Sequence, residues 1–452
     1  MAKINTKSQP FIKNIRLVKI IDKIPFKNSM IFRFFQIIAI ILSASLYAFA
    51  QNSPFSGFGV GLLTAEGNVA QQLGGSTGVS TSSAFFVNQI NPALLVRNGS
   101  VIFDASYNFK YQQLRNASVS ENFTTGNLNS VILALPINKK WTSAIALKPY
   151  SSIEYQIENS GRVENSDFFA YYTYRGEGGL NNLFWSNGIA LNSKLSIGAK
   201  MNYFFGNLTQ ESITELIAAG QNSRIAYLQR NNINQIAFAV GLAYRHHIEK
   251  DRKFLNIGIT YDLASNARTR RFEAFEKRDI FQSGVLPTFI DTLTMMRGKT
   301  FLPARLRVGM SFEKLNDYTI SLEVSHQDWS RYKIFDVAVP ALSPQTTIAL
   351  GGEWTPDSRS NNFFQRNTYR IGFQHTPSIL KVNTQNVAQT SLSLGTSMAF
   401  SGGQGKLTYV HLGVVGGQRG SLANGGMQER FVEAKLGVSL SDILWFYRPK
   451  ID

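Results

Sequence analysis

The chain has 452 residues and no cysteine, with 44% hydrophobic, 12% aromatic and 17% charged side chains and a formal net charge of +17. Without cysteine it can hold no disulfide framework, no thiolate metal site and no cysteine nucleophile. A charged fraction well under the roughly 25% of ordinary soluble domains, beside 33 Phe, 17 Tyr and 36 Gly, excludes little by itself. It fits a β-rich chain with surface that need not face water better than a helical soluble enzyme.

The positive charge is unevenly placed. Residues 1–50 carry eight basic side chains and one acid, which leaves +10 for residues 51–452. Such a distribution argues for an export leader rather than nucleic-acid binding. From Met30 the chain reads as a secretory signal: Arg33 is its positive end, Ile37–Leu46 its apolar core, and Ala48-Phe49-Ala50 its small-x-small cleavage pattern. The apolar run is shorter than the roughly 20 residues that span a bilayer. Residues 1–50 are therefore expected to be a leader and cleaved signal, with Gln51 the mature N-terminus and Met30 a candidate true start. A short membrane anchor is the alternative.

Residues 51–98 differ from the long C-terminal remainder of the chain. They are rich in Gly, Ser, Gln and Asn, and Glu66 and Arg97 are their only charged side chains. Apolar islands cover Phe55–Leu63, including Phe58, and Ala84–Val87, including Phe85 and Phe86; then comes Asn91-Pro92-Ala93. So little charge predicts packing rather than disorder.

From residue 99 onward the pattern is period two. Val101, Phe103, Ala105, Tyr107, Phe109 and Tyr111 alternate with Ile102, Asp104, Ser106, Asn108, Lys110 and Gln112, and comparable faces recur at 195–205, 255–263, 305–312 and 432–440. A soluble β-sandwich alternates too. Here the apolar faces run about 10 residues, the length a tilted strand needs to cross hydrocarbon, and short polar turns alternate with long connections, as in outer-membrane barrels. The expectation is an all-β transmembrane antiparallel barrel spanning 99–452. Its fourteen strands fall near 100–113, 127–137, 141–156, 181–191, 194–205, 234–248, 254–264, 303–314, 317–330, 346–355, 367–375, 390–400, 406–416 and 428–440. Residues 168–174 and the stretches 114–126, 157–180, 206–233, 264–301, 333–345 and 417–427 are assigned to loops. A barrel of this size has room inside, so 51–98 is read as a plug in its lumen.

Pro149 lies in the third strand, where a missing N–H interrupts the ladder. It marks either a bulge or strand end, or a kink that opens the wall beside Tyr150 and Ser151. The loops 206–233 and 264–301 mix Arg268, Arg270, Arg271, Lys277 and Arg278 with Phe272, Phe275, Phe281, Leu286 and Phe289. Either they capture an amphipathic molecule with an acidic head, or they pack over the barrel mouth and meet anionic lipid.

With Asn91-Pro92-Ala93 after a glycine-rich segment, Lys148-Pro149-Tyr150-Ser151-Ser152, Gly176-Glu177-Gly178-Gly179-Leu180-Asn181, Gln327-Asp328-Trp329-Ser330 and the ending Trp445–Asp452, the chain resembles the FadL-type outer-membrane long-chain fatty-acid transporters over 51–452. The resemblance implies a hatch domain, a monomeric barrel, and sideways passage of a hydrophobic ligand into the membrane beside a kinked strand. Unlike many outer-membrane barrels, the chain ends in Ile-Asp rather than an aromatic residue. Under this reading Phe55, Phe58, Phe85, Phe86, Asn91, Pro92 and Ala93 are plug and ligand residues; Pro149, Tyr150 and Ser151 form a lateral gate; and Arg270, Arg271, Phe272 and Phe275 capture ligand. The expected partners are the bilayer of a bacterial outer membrane and a hydrophobic ligand such as a fatty acid.

Other chemistry finds no support. His246 and His247 point to opposite faces of a strand, Ser311-Phe312-Glu313-Lys314 lies on a strand rather than a helix start, and Gly57–Gly61 lacks the spacing of a dinucleotide loop. No enzyme, metal, cofactor or nucleic-acid function is expected. The alternative to transport is a structural or docking subunit of an outer-membrane protein-secretion complex; a diffusive porin fits poorly with a plug. N-terminal sequencing of the exported protein should read Gln51 first, and finding residues 30–50 still attached would overturn the processing assignment.

Overall fold

A computed structural model describes residues 53–165, 168–217, 223–249, 252–281, 284–382, 385–401 and 406–443. The expected leader, the Gly402–Gly405 turn and the Trp445–Asp452 ending lie outside these residues. Fourteen antiparallel strands follow one another around a closed barrel: β1 (Val101–Arg115), β2 (Ser120–Asn138), β3 (Trp141–Arg162), β4 (Phe169–Ala190), β5 (Leu195–Ile217), β6 (Ser223–Glu249), β7 (Lys253–Asp262), β8 (Arg305–Lys314), β9 (Tyr318–Asp328), β10 (Pro344–Trp354), β11 (Thr368–Val382), β12 (Gln385–Ser401), β13 (Lys406–Gly420) and β14 (Gln428–Asp442). Closure is made by β14 on β1, from Gln428 opposite Arg115 to Asp442 opposite Val101.

The wall is apolar outside and polar inside, which inverts the usual burial rule. Leu306, Val308 and Met310 of β8 are exposed while Arg307 and Ser311 are buried; on β6, Ile236, Phe238, Val240 and Leu242 face out. Every one of the fourteen expected strands is present. Their lengths are the correction. β3, β4, β5 and β6 have 22, 22, 23 and 27 residues, so 157–180 and 206–233 are largely strand rather than loop. Residues 169–174, assigned to a loop, begin β4. The stretch 264–301 is a two-stranded hairpin, Ser265–Phe281 with Gly284–Leu302, whose first arm pairs with the distal part of β6. Hydrocarbon thickness sets how much strand must be apolar; it does not stop a strand that still has a neighbour to bond. At about 3.3 Å per residue, these strands reach far beyond the lipid-facing band.

The change from barrel to extension is marked by a crease through three strands. Pro149 faces a register shift against β4, and Gly178 and Gly179 (φ +110° and +155°) and Gly206 (φ +159°) continue the line across β4 and β5. A Cβ on Gly179 would enter the Ser151 carbonyl, and one on Gly206 the Gly179 carbonyl. Only glycine fits both the dihedrals and the approach.

Residues 53–98 lie inside the ring of strands, most of them buried, in contact with ten of the strands. They form a short helix, α1 (Val69–Leu73), with a capping box between Asn68 and Gln71, and two 3₁₀ turns, Pro54–Gly57 and Pro92–Arg97. The fit depends on glycine. Gly188, Gly198, Gly241, Gly258, Gly309, Gly351, Gly372, Gly395, Gly413 and Gly437 come one each from ten strands, and a Cβ on any of them would stand 3.1 Å or closer to an atom of the segment. Many are direct cross-strand partners, such as Gly198 with Gly241, Gly258 with Gly309 and Gly395 with Gly413. Together they form a belt where the segment rests directly on the wall's backbone, through its own backbone at Gly188, Gly198, Gly258, Gly351 and Gly372 and through Val69, Leu73, Val79 and Asn91 side chains at the rest. Gly241→Val should therefore abolish the compact, heat-modifiable barrel on cold gel electrophoresis. Gly416→Ala, which meets nothing within 4 Å, should leave it intact.

Candidate functional site

Above the belt the lumen holds a cavity of 280 Å³, at the small end of the roughly 300–1,000 Å³ of ligand sites. Its walls divide by chemistry. Phe55, Phe58, Leu62, Leu63, Leu342 and Ile379 give an apolar side, while Glu66, Lys148, Arg305, Arg307 and Glu323 give a charged one. Asn127 and Asn129 of β2 and Lys148, Pro149 and Tyr150 of β3 also line it.

Those last residues flank a break in the wall. β3 pairs with β4 along its whole length, with a bulge at Pro149. Its ladder with β2 ends earlier, at Leu147 opposite Val131. Past that point the N-terminal segment takes the place of β2. Leu62 and Leu63 pair with Ser152 and Ser151, Thr64 N–H donates to the Tyr150 carbonyl at 3.0 Å, and Ser53 N–H donates to the Glu154 carbonyl at 2.9 Å. The Ser151 hydroxyl donates to the Val60 carbonyl at 2.6 Å. The bulge reading of Pro149 is present on the β4 side; on the β2 side the ladder stops short of Pro149 and the N-terminal segment bonds β3 instead.

Glu66 ties the segment to the wall. It meets Arg305 at 2.6 Å and also pairs with Arg307, and Arg305 holds Asp262 at 2.8 Å. Burial pushes the Glu66 carboxyl up, but Arg305, Arg307, Lys148 and Lys200 together outweigh it and hold the group well below the usual carboxylate range. Further ties are Glu323, which accepts from the N–H groups of Gly78 and Val79 at 2.9 and 3.0 Å, Lys200, which donates to the Gln89 carbonyl at 2.6 Å, and Ser53, which donates to Glu429 at 2.6 Å. A buried polar chain also runs from strand to strand along the wall: Arg370 to Ser397, Ser397 to His411 (2.5 Å), His411 to Ser439 (3.0 Å) and Ser439 to Asp104 (2.5 Å).

The expected site residues fall into separate places. Phe55 and Phe58 line the cavity, as do Pro149 and Tyr150; Tyr150 packs on Phe204 with centroids 4.5 Å apart. Phe85 stacks on Tyr409 and Phe86 meets His411 edge-on, away from the cavity. Asn91 donates to the carbonyls of Val79 and Leu242, and caps the turn in which Pro92 and Ala93 sit against Gly198. Arg270, Arg271, Phe272 and Phe275 are not brought together. Arg270 is exposed outside, whereas Arg271 bonds Asn231 at 2.9 Å and stacks over Phe335; Phe275 is exposed beside Tyr227. Leu62, Leu63, Asn127, Asn129, Leu342 and Ile379 were not singled out by sequence. Glu66 had a signal, as the lone acid of a segment almost without charge.

The family model described as BamG matches residues 30–452. No curated protein matches the sequence. Among solved structures, the chain is similar to a Pseudomonas aeruginosa FadL homologue (13% identity, TM-score 0.54, covering 84% of this chain and 99% of that one). It is also similar to the Pseudomonas putida toluene transporter TodX (13%, 0.53, 84% and 99%) and the Ralstonia pickettii toluene transporter TbuX (14%, 0.51, 86% and 99%). At such identities the likeness is one of fold alone. The resemblance to FadL-type proteins thus holds at the level of architecture, while the matching family carries another name.

Because the Glu66 carboxyl is lowered, its contribution is fully present above the ordinary carboxylate value of about 4.3 and is lost only as pH falls through its lower folded value. The segment should stay docked from about pH 5 to 8. Glu66→Gln should loosen it by about 2 kcal/mol, less than the ~3–5 of a fully enclosed pair because Glu66 faces the cavity. Amide exchange in residues 62–79 should then quicken by roughly 30-fold; unchanged exchange would remove the anchoring role.

Proposed function

The chain belongs to the BamG family, and we propose that this member moves hydrophobic or amphipathic small molecules through the lumen cavity and sideways into the bilayer between β2 and β3. The observation that carries this reading is the β2–β3 ladder, which ends at Val131–Leu147 where the cavity walls include residues from both strands. In a bilayer, unpaired backbone needs an internal partner, and the segment Ser53–Thr64 supplies one to β3. Residues 51–98 then act as a hatch: the belt-seated part stays in place, and the short strand at the break is the piece that moves aside. The apolar half of the cavity takes the ligand's hydrocarbon, and Lys148 stands where an acidic head can approach it. The names of the similar structures, a FadL homologue and two toluene transporters, support a hydrophobic cargo.

A chain without cysteine permits a clean test. Leu62→Cys with Ser152→Cys joins directly paired positions, within the separation a disulfide needs. Oxidation should cut cellular uptake of a fluorescent long-chain fatty acid by about tenfold, and reduction should restore it. Uptake indifferent to the lock would sink the lateral route.

A second reading, a structural or docking subunit of an outer-membrane protein-secretion complex, is favoured by a different observation. The extended β3–β6 sheet and the hairpin expose Phe169, Tyr171, Tyr174, Ile225, Phe275, Phe289, Ile290 and Met295, more exposed apolar surface than a lone barrel needs above its lipid band. Mild-detergent purification separates the two: stoichiometric recovery with a large protein assembly, together with unaltered fatty-acid uptake in the locked variant, would favour the subunit role.

A further inference from the structure

Apart from Lys277, the basic residues of the hairpin resolve into two sets with opposite orientation. Arg271 and Arg278 turn inward and are neutralised, by Glu273 and by Glu211 and Glu276 respectively, and Arg271 also donates to Asn231. The outward set is not neutralised. Arg268 lies opposite Lys299, and Arg270 opposite Arg297, across the hairpin; Asn234 and Asn232 of β6 stand beside Arg268 and Arg270, and Arg230 follows one step further along the same face. All five cations are exposed, and among the described residues none has an ion-pair partner. No carboxylate occupies that face between Asn234 and Arg230 of β6, between Asn266 and Phe272, or between Met295 and Lys299. Like charges directly across a ladder destabilise a sheet, so a pattern of this kind needs an anion from elsewhere.

Position indicates which anion. The lipid-facing stripe of β6 runs Leu242, Val240, Phe238, Ile236, with the last of these 56% exposed, and the same face continues without interruption into Asn234, Asn232 and Arg230. Beneath the hairpin, Tyr261 and Leu263 extend the apolar band. With about 3.3 Å per residue and a strand tilt near 40°, the Arg268–Lys299 pair stands roughly 5 Å above Ile236 along the membrane normal, Arg270–Arg297 roughly 10 Å and Arg230 roughly 15 Å. The polar headgroup layer begins at the edge of the hydrocarbon and is about 5–8 Å thick on each side. Long basic side chains anchored above it reach down into that layer with their heads while their stems cover apolar surface.

We propose that Arg230, Arg268, Arg270, Arg297 and Lys299 form a binding site for the phosphate groups of lipid headgroups in the outer leaflet, on the barrel's outer wall and separate from the lumen cavity. Guanidinium forks bind phosphate oxygens in pairs, and each cation near a charged membrane surface adds to the attraction. The site holds the base of the hairpin against the leaflet. It does not depend on whether the lumen conducts a ligand.

The test uses the complete barrel reconstituted in phosphatidylcholine with trace spin-labelled phosphatidylglycerol or phosphatidylcholine, reading the motionally restricted fraction at the protein boundary. The unaltered protein should select phosphatidylglycerol over phosphatidylcholine by about fivefold, less at high salt, since screening weakens exposed charge. Arg268→Gln, Arg270→Gln, Arg297→Gln and Lys299→Gln together should bring selection close to unity while heat-modifiable migration shows the barrel intact. Lys139→Gln with Lys140→Gln, at a tight turn on the opposite rim, should retain it. Equal selection by the fourfold variant overturns the proposal. So does displacement of the labelled lipid by millimolar inorganic phosphate alone, which would make this a free-phosphate site, or by polyglutamate, which would make it a protein-docking surface.

Discussion

Close contact at the glycine belt is the constraint on which the rest of the lumen depends. Because Gly198, Gly241, Gly258 and Gly372 bring no side chains inward, the N-terminal segment can lie directly on the wall, and its polar groups can bond wall carbonyls, as Asn91 does with Leu242. That contact sets the height at which Glu66 meets Arg305 and Arg307. It also sets the register in which Leu62 and Leu63 reach the edge of β3. Cavity, charge cluster and break in the wall are all consequences of where the segment rests.

Charge in the lumen follows from the same arrangement. A polar interior surrounded by lipid cannot leave ionised groups unpaired, and the inward residues come in matched sets: Lys110 and Arg419 with Glu429, Lys435 with Glu433, Arg245 with Glu313. Lys110, Arg419, Glu433 and Lys435 of these sets also line the cavity. Lys148 reaches the Ala65 carbonyl at 3.5 Å and lines the cavity together with Glu66, Arg305 and Arg307.

Strand identity was legible in the sequence because alternation is a local signal; Leu306, Val308 and Met310 set against Arg307 and Ser311 are readable without neighbours. Strand length was not. Hydrocarbon thickness bounds the apolar stretch, whereas β6 continues because β5 and the hairpin both supply partners, a matter of tertiary pairing. That residues 53–98 pack rather than float was readable from the scarcity of charge in them, and the bulge at Pro149 from its missing donor. The belt escaped notice, although its glycines sit at the polar parity of each strand: Gly198 with Lys200, Gly258 with Thr260, Gly437 with Lys435. Singly, each reads as a weak strand former, and only the closed barrel puts them at one level. The capture residues on the hairpin failed to converge because neighbours in sequence on a strand, such as Arg270 and Arg271, necessarily point to opposite faces.

The belt also bears on how the molecule is made. A segment gripped by ten strands through contacts too close for any side chain cannot be threaded into a finished barrel. Residues 53–98 leave the ribosome before every strand that holds them, and the last glycine to engage, Gly437, lies in the strand that seals the cylinder against β1. Closure therefore has to happen around the segment, so that an early, charge-poor piece of chain is carried through export and becomes the mould on which the final seam is set.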